Sequence, residues 1–348
     1  MKKSTVLMVV LFTIIIVGIF IFLMMENTEK LTISFLVRSS KSDVMNEDYG
    51  LIYQNLIKHT TLPMNRLVFQ AKDFNTFEEF VNSLEETFKP RASNVVFCHF
   101  EELESYENFL KLKTYQSPLY FTTYSEYDYE QNQTKEVIQL SPPPERIAQG
   151  LNQLFNFNDQ HVLLMINQTD NQPQNSVISG LLKGQTTTLT VVPHQNINHA
   201  VTSIGDILST LNPHYLLIDL DEKPTIALLE KIVGFPRDKI ILLPESTSER
   251  IGYYAGSNVY GINGITYTNP TQVIGFNNHR NLLKLLTKTI TQCFVAEKKI
   301  GHQSLTTYLN DHPNIPIRLV DHSLITPIYR VSFSQKGLRV IDKLGFQE

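Results

Sequence analysis

Cysteine, glycine and clustered basic residues are all scarce, and each scarcity closes off a class of function. The two cysteines, Cys98 and Cys293, cannot build a metal site alone and form no C-x-x-C pair. They are expected as separate free thiols, because Cys98 ends an apolar run that reads as a buried strand; their sequence separation also permits one disulfide. With only 15 glycines, a glycine-rich cofactor cradle is not expected, and no cofactor is assigned. The 34 acidic and 30 basic side chains give a net charge of −4 with no Lys/Arg run. That argues against nucleic acid as a partner, since its binders need a basic face. G-x-S-x-G, G-x-x-x-x-G-K-[ST] and H-E-x-x-H are all missing. The ten histidines are scattered, and His194/His199 and His312/His322 lack metal-ligand spacing. No nucleophile–base–orienter set is found, so neither an enzyme nor a metal protein is expected.

What remains is a globular composition, 42% apolar and 18% charged over 348 residues, long enough for two domains or lobes. The N-terminus sets the compartment. Lys2 and Lys3 precede an uninterrupted apolar run over residues 6–25. At ~1.5 Å per residue that run reaches ~30 Å, the hydrocarbon thickness of a bilayer. It is longer than a secretory signal core and ends in Met24-Met25-Glu26, with no small-residue cleavage site and no lipobox cysteine. An uncleaved signal anchor follows, with the lysines cytoplasmic and the bulk of the chain outside the cytoplasm. The expected location is the cell membrane, crossed once through residues 6–25.

Past residue 30, short β-rich runs alternate with amphipathic helical stretches. Strands are predicted over 31–37 (LTISFLV), 66–70, 94–98 (NVVFC) and 119–122, with helices over 44–59, 74–88 and 101–113 between them. A polar aromatic loop, 124–133, closes this set. The scheme then restarts with strands 137–140, 161–167 (HVLLMIN), 188–192, 215–219 (YLLID) and 239–243 (KIILL). Helices 145–155, 176–182, 198–211 and 225–233 alternate with them; Pro144 suits a first helical turn, and Asn212-Pro213 stops the third helix. A glycine-rich stretch, 252–268, is placed where the chain returns to the first lobe. A long helix, 278–297, and extended segments 328–333 and 338–344 complete the chain.

Strands alternating with helices of this length make β-α-β units and parallel sheets covered on both faces. The expected fold class is α/β, with two doubly wound parallel-sheet lobes behind an N-terminal transmembrane helix. The expected boundaries are 1–30 for the stub and anchor, 31–142 with 263–320 for lobe 1, and 143–262 with 321–348 for lobe 2.

Ligands of open α/β sheets bind beyond the carboxyl ends of the strands. Those positions carry Ser39, Ser40, His99, Thr122, Thr123 and Tyr124 in the first lobe, and Asn167, Asp170, Asp219 and Glu245 in the second. Hydroxyls, amides and carboxylates of this kind suit a small polar molecule held between lobes; equally, Ser, Thr and Asp in such loops cap the following helix. Asp219-Leu220-Asp221 offers two carboxylates after a strand, which helix capping explains without a cation. Asn132-Gln133-Thr134 and Asn167-Gln168-Thr169 match the glycosylation sequon by chance.

Three stretches carry a resemblance: 141–150 (SPPPERIAQG), 201–219 (VTSIGDILSTLNPHYLLID) and 255–262 (AGSNVYGI). In order, they resemble the lobe crossover, a helix-then-strand segment and the return segment of the type I periplasmic binding fold. Within that fold the chain is similar to branched-chain amino-acid-binding proteins of ABC transporters, over residues 31–270. The resemblance implies that Thr122 and Thr123 hold an α-carboxylate and that Asp219 or Glu245 meets an ammonium. It implies an amino-acid-like ligand and a membrane permease or receptor as partner. Two loops depart from the family: Arg38-Ser39-Ser40-Lys41 replaces a Gly-Pro-Leu-Ser-Gly-like turn, and 170–175 (DNQPQN) replaces a loop with a Tyr-Gly pair. The resulting expectation is a membrane-anchored extracytoplasmic binding protein serving a transporter or a sensor. The alternative is a ligand-less type I binding fold acting as a protein–protein interaction module in the cell envelope.

Overall fold

The computed structural model describes Thr13 and residues 29–38, 42–87, 92–99, 119–122, 136–140, 144–167, 173–191, 197–220, 222–232, 234–243, 249–255, 259–263, 273–274, 278–334 and 337–344. The apolar run 6–25 lies outside these residues apart from Thr13, as do the predicted helix 101–113 and the loop 124–133. Among the described residues no helix is long and apolar enough to cross a membrane.

Side-chain alternation builds the first sheet. In β1 (Lys30–Arg38), Leu31, Ile33 and Phe35 join one core and Leu36 joins another on the opposite face. The neighbours are β2 (Leu67–Phe74), β3 (Ala92–His99), β4 (Leu119–Thr122) and β5 (Val137–Gln139), followed late in the chain by β12 (Arg318–Val320) and β13 (Ser323–Ile325). The spatial order is β12-β13-β5-β4-β3-β1-β2, parallel except for the β12–β13 hairpin. One face is covered by α1 (Ser42–His59), α8 (Asn278–Glu297) and α9 (His302–Asp311), which supply Ile52, Leu286 and Leu305. The other is covered by α2 (Phe77–Thr87) through Phe80 and Leu84. Register aligns Phe35, Phe97 and Phe121 across three adjacent strands. Their rings stack at 4.6 Å and 4.8 Å, within 7° and 14° of parallel.

The second sheet contains β6 (His161–Asn167), β7 (Gln185–Val191), β8 (Tyr215–Asp219), β9 (Ile240–Leu242), β10 (Tyr260–Asn263), β11 (Val273–Ile274), β14 (Ile328–Ser334) and β15 (Gly337–Leu344). Its order is β11-β15-β14-β10-β9-β8-β6-β7. The block from β7 to β10 is parallel, as expected, whereas β14, β15 and β11 add an antiparallel end. Leu164, Leu217 and Ile241 pack under α3 (Pro144–Leu154) and α4 (Pro173–Leu181). Met165, Ile218 and Leu242 face the opposite way, under α5 (Ile197–Leu211), α6 (Glu222–Lys231) and α7 (Glu249–Ala255). Burial on both faces is why HVLLMIN and YLLID are continuous apolar runs.

Several details differ from the sequence reading. Phe74 is the last residue of β2 rather than part of the helix; its ring packs 5.3 Å from Phe80. The helix starts where Thr76 accepts from the Glu79 amide at 3.2 Å and Glu79 accepts from the Asn75 amide at 2.7 Å, a reciprocal cap. Segment 252–268 is not a return to the first lobe. Its described part forms the end of α7 and β10, and β11 still belongs to the second sheet. Gly261 serves tight strand packing there: a Cβ would lie 3.2 Å from Val331 Cγ2 and 3.3 Å from the Leu242 carbonyl. The expected boundaries shift accordingly, because 273–274 lies in the second sheet and 323–325 in the first. The chain thus passes between sheets after β5, after β11 and after β13.

Phe97 is the middle ring of the aromatic ladder and is 4% exposed, so Phe97→Ala is expected to lower unfolding free energy by about 3–5 kcal/mol, read by urea denaturation. A Cβ at Gly184 would lie 2.6 Å from the Gln160 carbonyl oxygen and 2.9 Å from that of Phe157. Gly184→Ala is expected to cost about 1–3 kcal/mol in the same measurement, because backbone must move.

Candidate functional site

The parallel strands of each sheet end level with one another. In the first, His99 is level with Val37, and Thr122 with Gln139. In the second, Asn167 is level with Val191, and Asp219 with Ile166. His99, Thr122, Asn167 and Asp219 are therefore the terminal residues of β3, β4, β6 and β8, at the carboxyl edge where the sequence reading put them. Ser39, Ser40, Thr123, Tyr124, Asp170 and Glu245 lie outside the described residues, and so does Asp221.

Of the four strand-end side chains, that of Asp219 is described, and it is partly exposed. Its setting is rigid. Leu220 behind it is buried at 1% exposure, and the Thr225 hydroxyl donates to the Leu220 carbonyl at 3.0 Å. The Leu243 amide donates to the Ile218 carbonyl at 2.9 Å, carrying the β8–β9 pairing past the end of β9. A carboxylate on such a base can accept from an ammonium or a hydroxyl without a large ordering cost. Among the described residues no group of three His, Cys, Asp or Glu side chains is placed to hold a metal ion.

One residue the sequence reading passed over is Arg146, in the first turn of α3 just after the first crossing. It is 7% exposed, and burial lowers its pKa by penalising the charged form. A cation in a first helical turn also opposes the helix dipole, and that mismatch with the helix start was the signal available in the sequence.

With two doubly wound sheets and three crossings in place, the architecture can be compared with known proteins. A branched-chain amino-acid ABC transporter periplasmic ligand-binding protein from Burkholderia xenovorans LB400 superposes with a TM-score of 0.66 at 11% identity, over 91% of this chain and 96% of that one. The chain has the type I periplasmic binding fold. A branched-chain amino-acid transporter substrate-binding protein from Streptococcus pneumoniae, solved with isoleucine, gives 0.61 at 12% identity over 91% and 100% of the two chains. A branched-chain amino-acid ABC transporter protein from Thermus thermophilus with bound valine gives 0.64 at 10% identity over 92% and 97%. No protein-family model matches the sequence, and no curated protein matches it. The likeness is one of fold, and these neighbours are solute-binding proteins rather than enzymes.

The cysteines are chemically quiet. Cys98 and Cys293 are both free and buried. Burial raises the Cys98 thiol pKa far above its ordinary value; burial first, then the Glu297 charge, pushes Cys293 up to about 12. Neither is expected to react with a thiol reagent at pH 8 in the folded protein, and both are expected to react in urea. Because the folded pKa values are raised, the stability they contribute is complete below about pH 9. It falls as pH climbs toward about 12, where the unfolded chain has lost thiol protons that the folded chain keeps. Urea midpoints measured from pH 8 to pH 11 check that slope, which is expected to flatten in Cys293→Ser.

Proposed function

We propose that the protein is an extracytoplasmic binding protein, tethered to the cell membrane by residues 6–25, that closes on an amino-acid-like ligand between its two lobes. The observation that carries this reading is the type I fold across the full length of the solute-binding proteins it matches, together with polar residues at the carboxyl ends of its strands. In the neighbours named above, isoleucine and valine are bound. Thr122 and Thr123 are assigned to the ligand carboxylate. Asp219 or Glu245 is assigned to its ammonium, and Ser39, Ser40, His99, Tyr124, Asn167 and Asp170 complete the lining. Hinge closure between two lobes traps the ligand and presents the closed form to an ABC-type permease or a sensor.

The lobes are assigned as the regions around the two sheets, behind an anchor in residues 1–30. A second reading has support in the two altered loops at 38–41 and 170–175: a type I fold without a ligand that contacts another envelope protein.

Thermal unfolding of the detergent-purified full chain separates the two. A ligand at ~100 times its dissociation constant adds ~2.7 kcal/mol, which at this size is a rise of a few degrees. An L-amino acid, leucine, isoleucine or valine first, is expected to raise the midpoint, and Asp219→Asn is expected to abolish the rise while leaving the unliganded midpoint within a degree or so. A cooperative melt unmoved by amino acids, sugars, nucleosides, polyamines and short peptides overturns the ligand reading in favour of the interaction module.

A further inference from the structure

A cavity lies away from the strand ends discussed so far. A hollow of about 600 Å³ opens at the amino-terminal edge of the second sheet. Tyr215 and Tyr260 are the first residues of β8 and β10, Lys239 immediately precedes β9, and Phe155 immediately follows α3; all four line it together with Arg330 of β14. Asp219 sits at the opposite end of β8.

Arg330 is held in the corner of two aromatic rings. Its guanidinium carbon lies 4.2 Å from the Tyr260 ring centre and 4.7 Å from that of Phe155, with the rings 59° apart. One nitrogen, Nη1, donates to the Leu154 carbonyl at 3.2 Å. Nε is buried and has no hydrogen-bond partner. Among the described residues no carboxylate forms an ion pair with Arg330. A register shift between β14 and β15 falls between Arg330 and Val331, and such irregularities re-aim a side chain.

Lys239 is the second cation of the hollow. Its Nζ donates to the Tyr215 hydroxyl at 3.2 Å and sits 4.6 Å from that ring's centre, again with no ion pair. The acid in the lining, Asp238, is paired with neither cation.

A partly buried guanidinium without an anion is costly, and here its position is fixed by rings rather than by a carboxylate. Donors kept unspent on a fixed, planar cation form a receptor for an oxyanion, and the volume is that of a small-molecule site. We infer that this hollow binds a small organic carboxylate, its carboxylate held by Arg330 and Lys239.

Benzoate is the probe, titrated calorimetrically into the detergent-purified full chain, with benzyl alcohol as its neutral counterpart. Saturable one-site binding by benzoate, weakened as NaCl rises from ~50 to ~500 mM, is expected, with none by benzyl alcohol. Lys239→Gln is expected to weaken binding about five-fold or more, and Asp238→Asn to tighten it about two-fold by removing a like charge. Both substitutions are at surface-reaching positions, so they test the site even where Arg330→Lys does not fold. Asp219→Asn is expected to leave benzoate binding unchanged. The inference is overturned by no saturable binding up to ~20 mM, by equal binding of benzyl alcohol, or by binding that Asp219→Asn removes and Lys239→Gln does not.

Discussion

The pairing of β13 against β5 is the contact on which the two-sheet arrangement depends. The Gln139 amide donates to the His322 carbonyl at 2.6 Å, and Ser323 stands in register with Gln139. The His322 ring Nδ1 lies 2.8 Å from the Val137 carbonyl; a carbonyl can only accept, so this nitrogen carries the proton. Beside it, His302 Nε2 lies 2.6 Å from the Asp321 carbonyl, and the two imidazoles sit 5.5 Å apart. Residues nearly two hundred positions apart in sequence are thereby fixed at one sheet edge. Both strands run in the same direction there and both lead out toward the second sheet. The Asp-His dipeptides at 311–312 and 321–322 share no site: Asp321 takes a left-handed turn between β12 and β13, while His312 caps α9 through the Tyr308 carbonyl at 2.8 Å.

Around that joint close-packed apolar layers dominate, and buried hydroxyls can be satisfied within a single element. Helix α8 shows how. Thr287, Thr289 and Thr291 are all buried, yet their hydroxyls donate to carbonyls four residues back at 2.8, 2.9 and 2.8 Å. A threonine-rich helix can then sit in a core without leaving orphaned donors. The same economy closes helix ends. The helix stops at Asn212-Pro213 as expected; Asn212 takes the left-handed conformation after α5, and its amide donates to the Leu208 carbonyl at 2.9 Å.

Much of this was legible in the sequence because long periodic runs carry their own signal. LTISFLV, HVLLMIN, YLLID and the 20-residue α8 read directly as the elements they form. What escaped was short or polar. β12 and β13 have three residues each, too few for periodicity, and turn through Asp321 rather than an Asn-Gly pair. α9 buries only Leu305, Tyr308 and Leu309, one narrow stripe. β7 begins three residues earlier than expected because its Gln-Thr-Thr-Thr start lies at a sheet edge, where polar side chains meet water. At the strand ends, chain order alone located His99, Thr122, Asn167 and Asp219. The Arg330 hollow could not be found that way, because its lining comes from α3 and four separate strand regions with no shared motif.

The third passage between the sheets consists of Thr326 and Pro327 alone, and both are buried. Two residues span at most about 7 Å fully extended, and proline has one of its torsions fixed by its ring. The sheets therefore cannot be drawn apart at this point; it is a fulcrum. In the proposed closure, movement between the sheets is smallest at this joint and grows with distance from β13. Within that proposal, residues beside Thr326 and Pro327 set how the sheets turn, and residues at the far rims set what they meet.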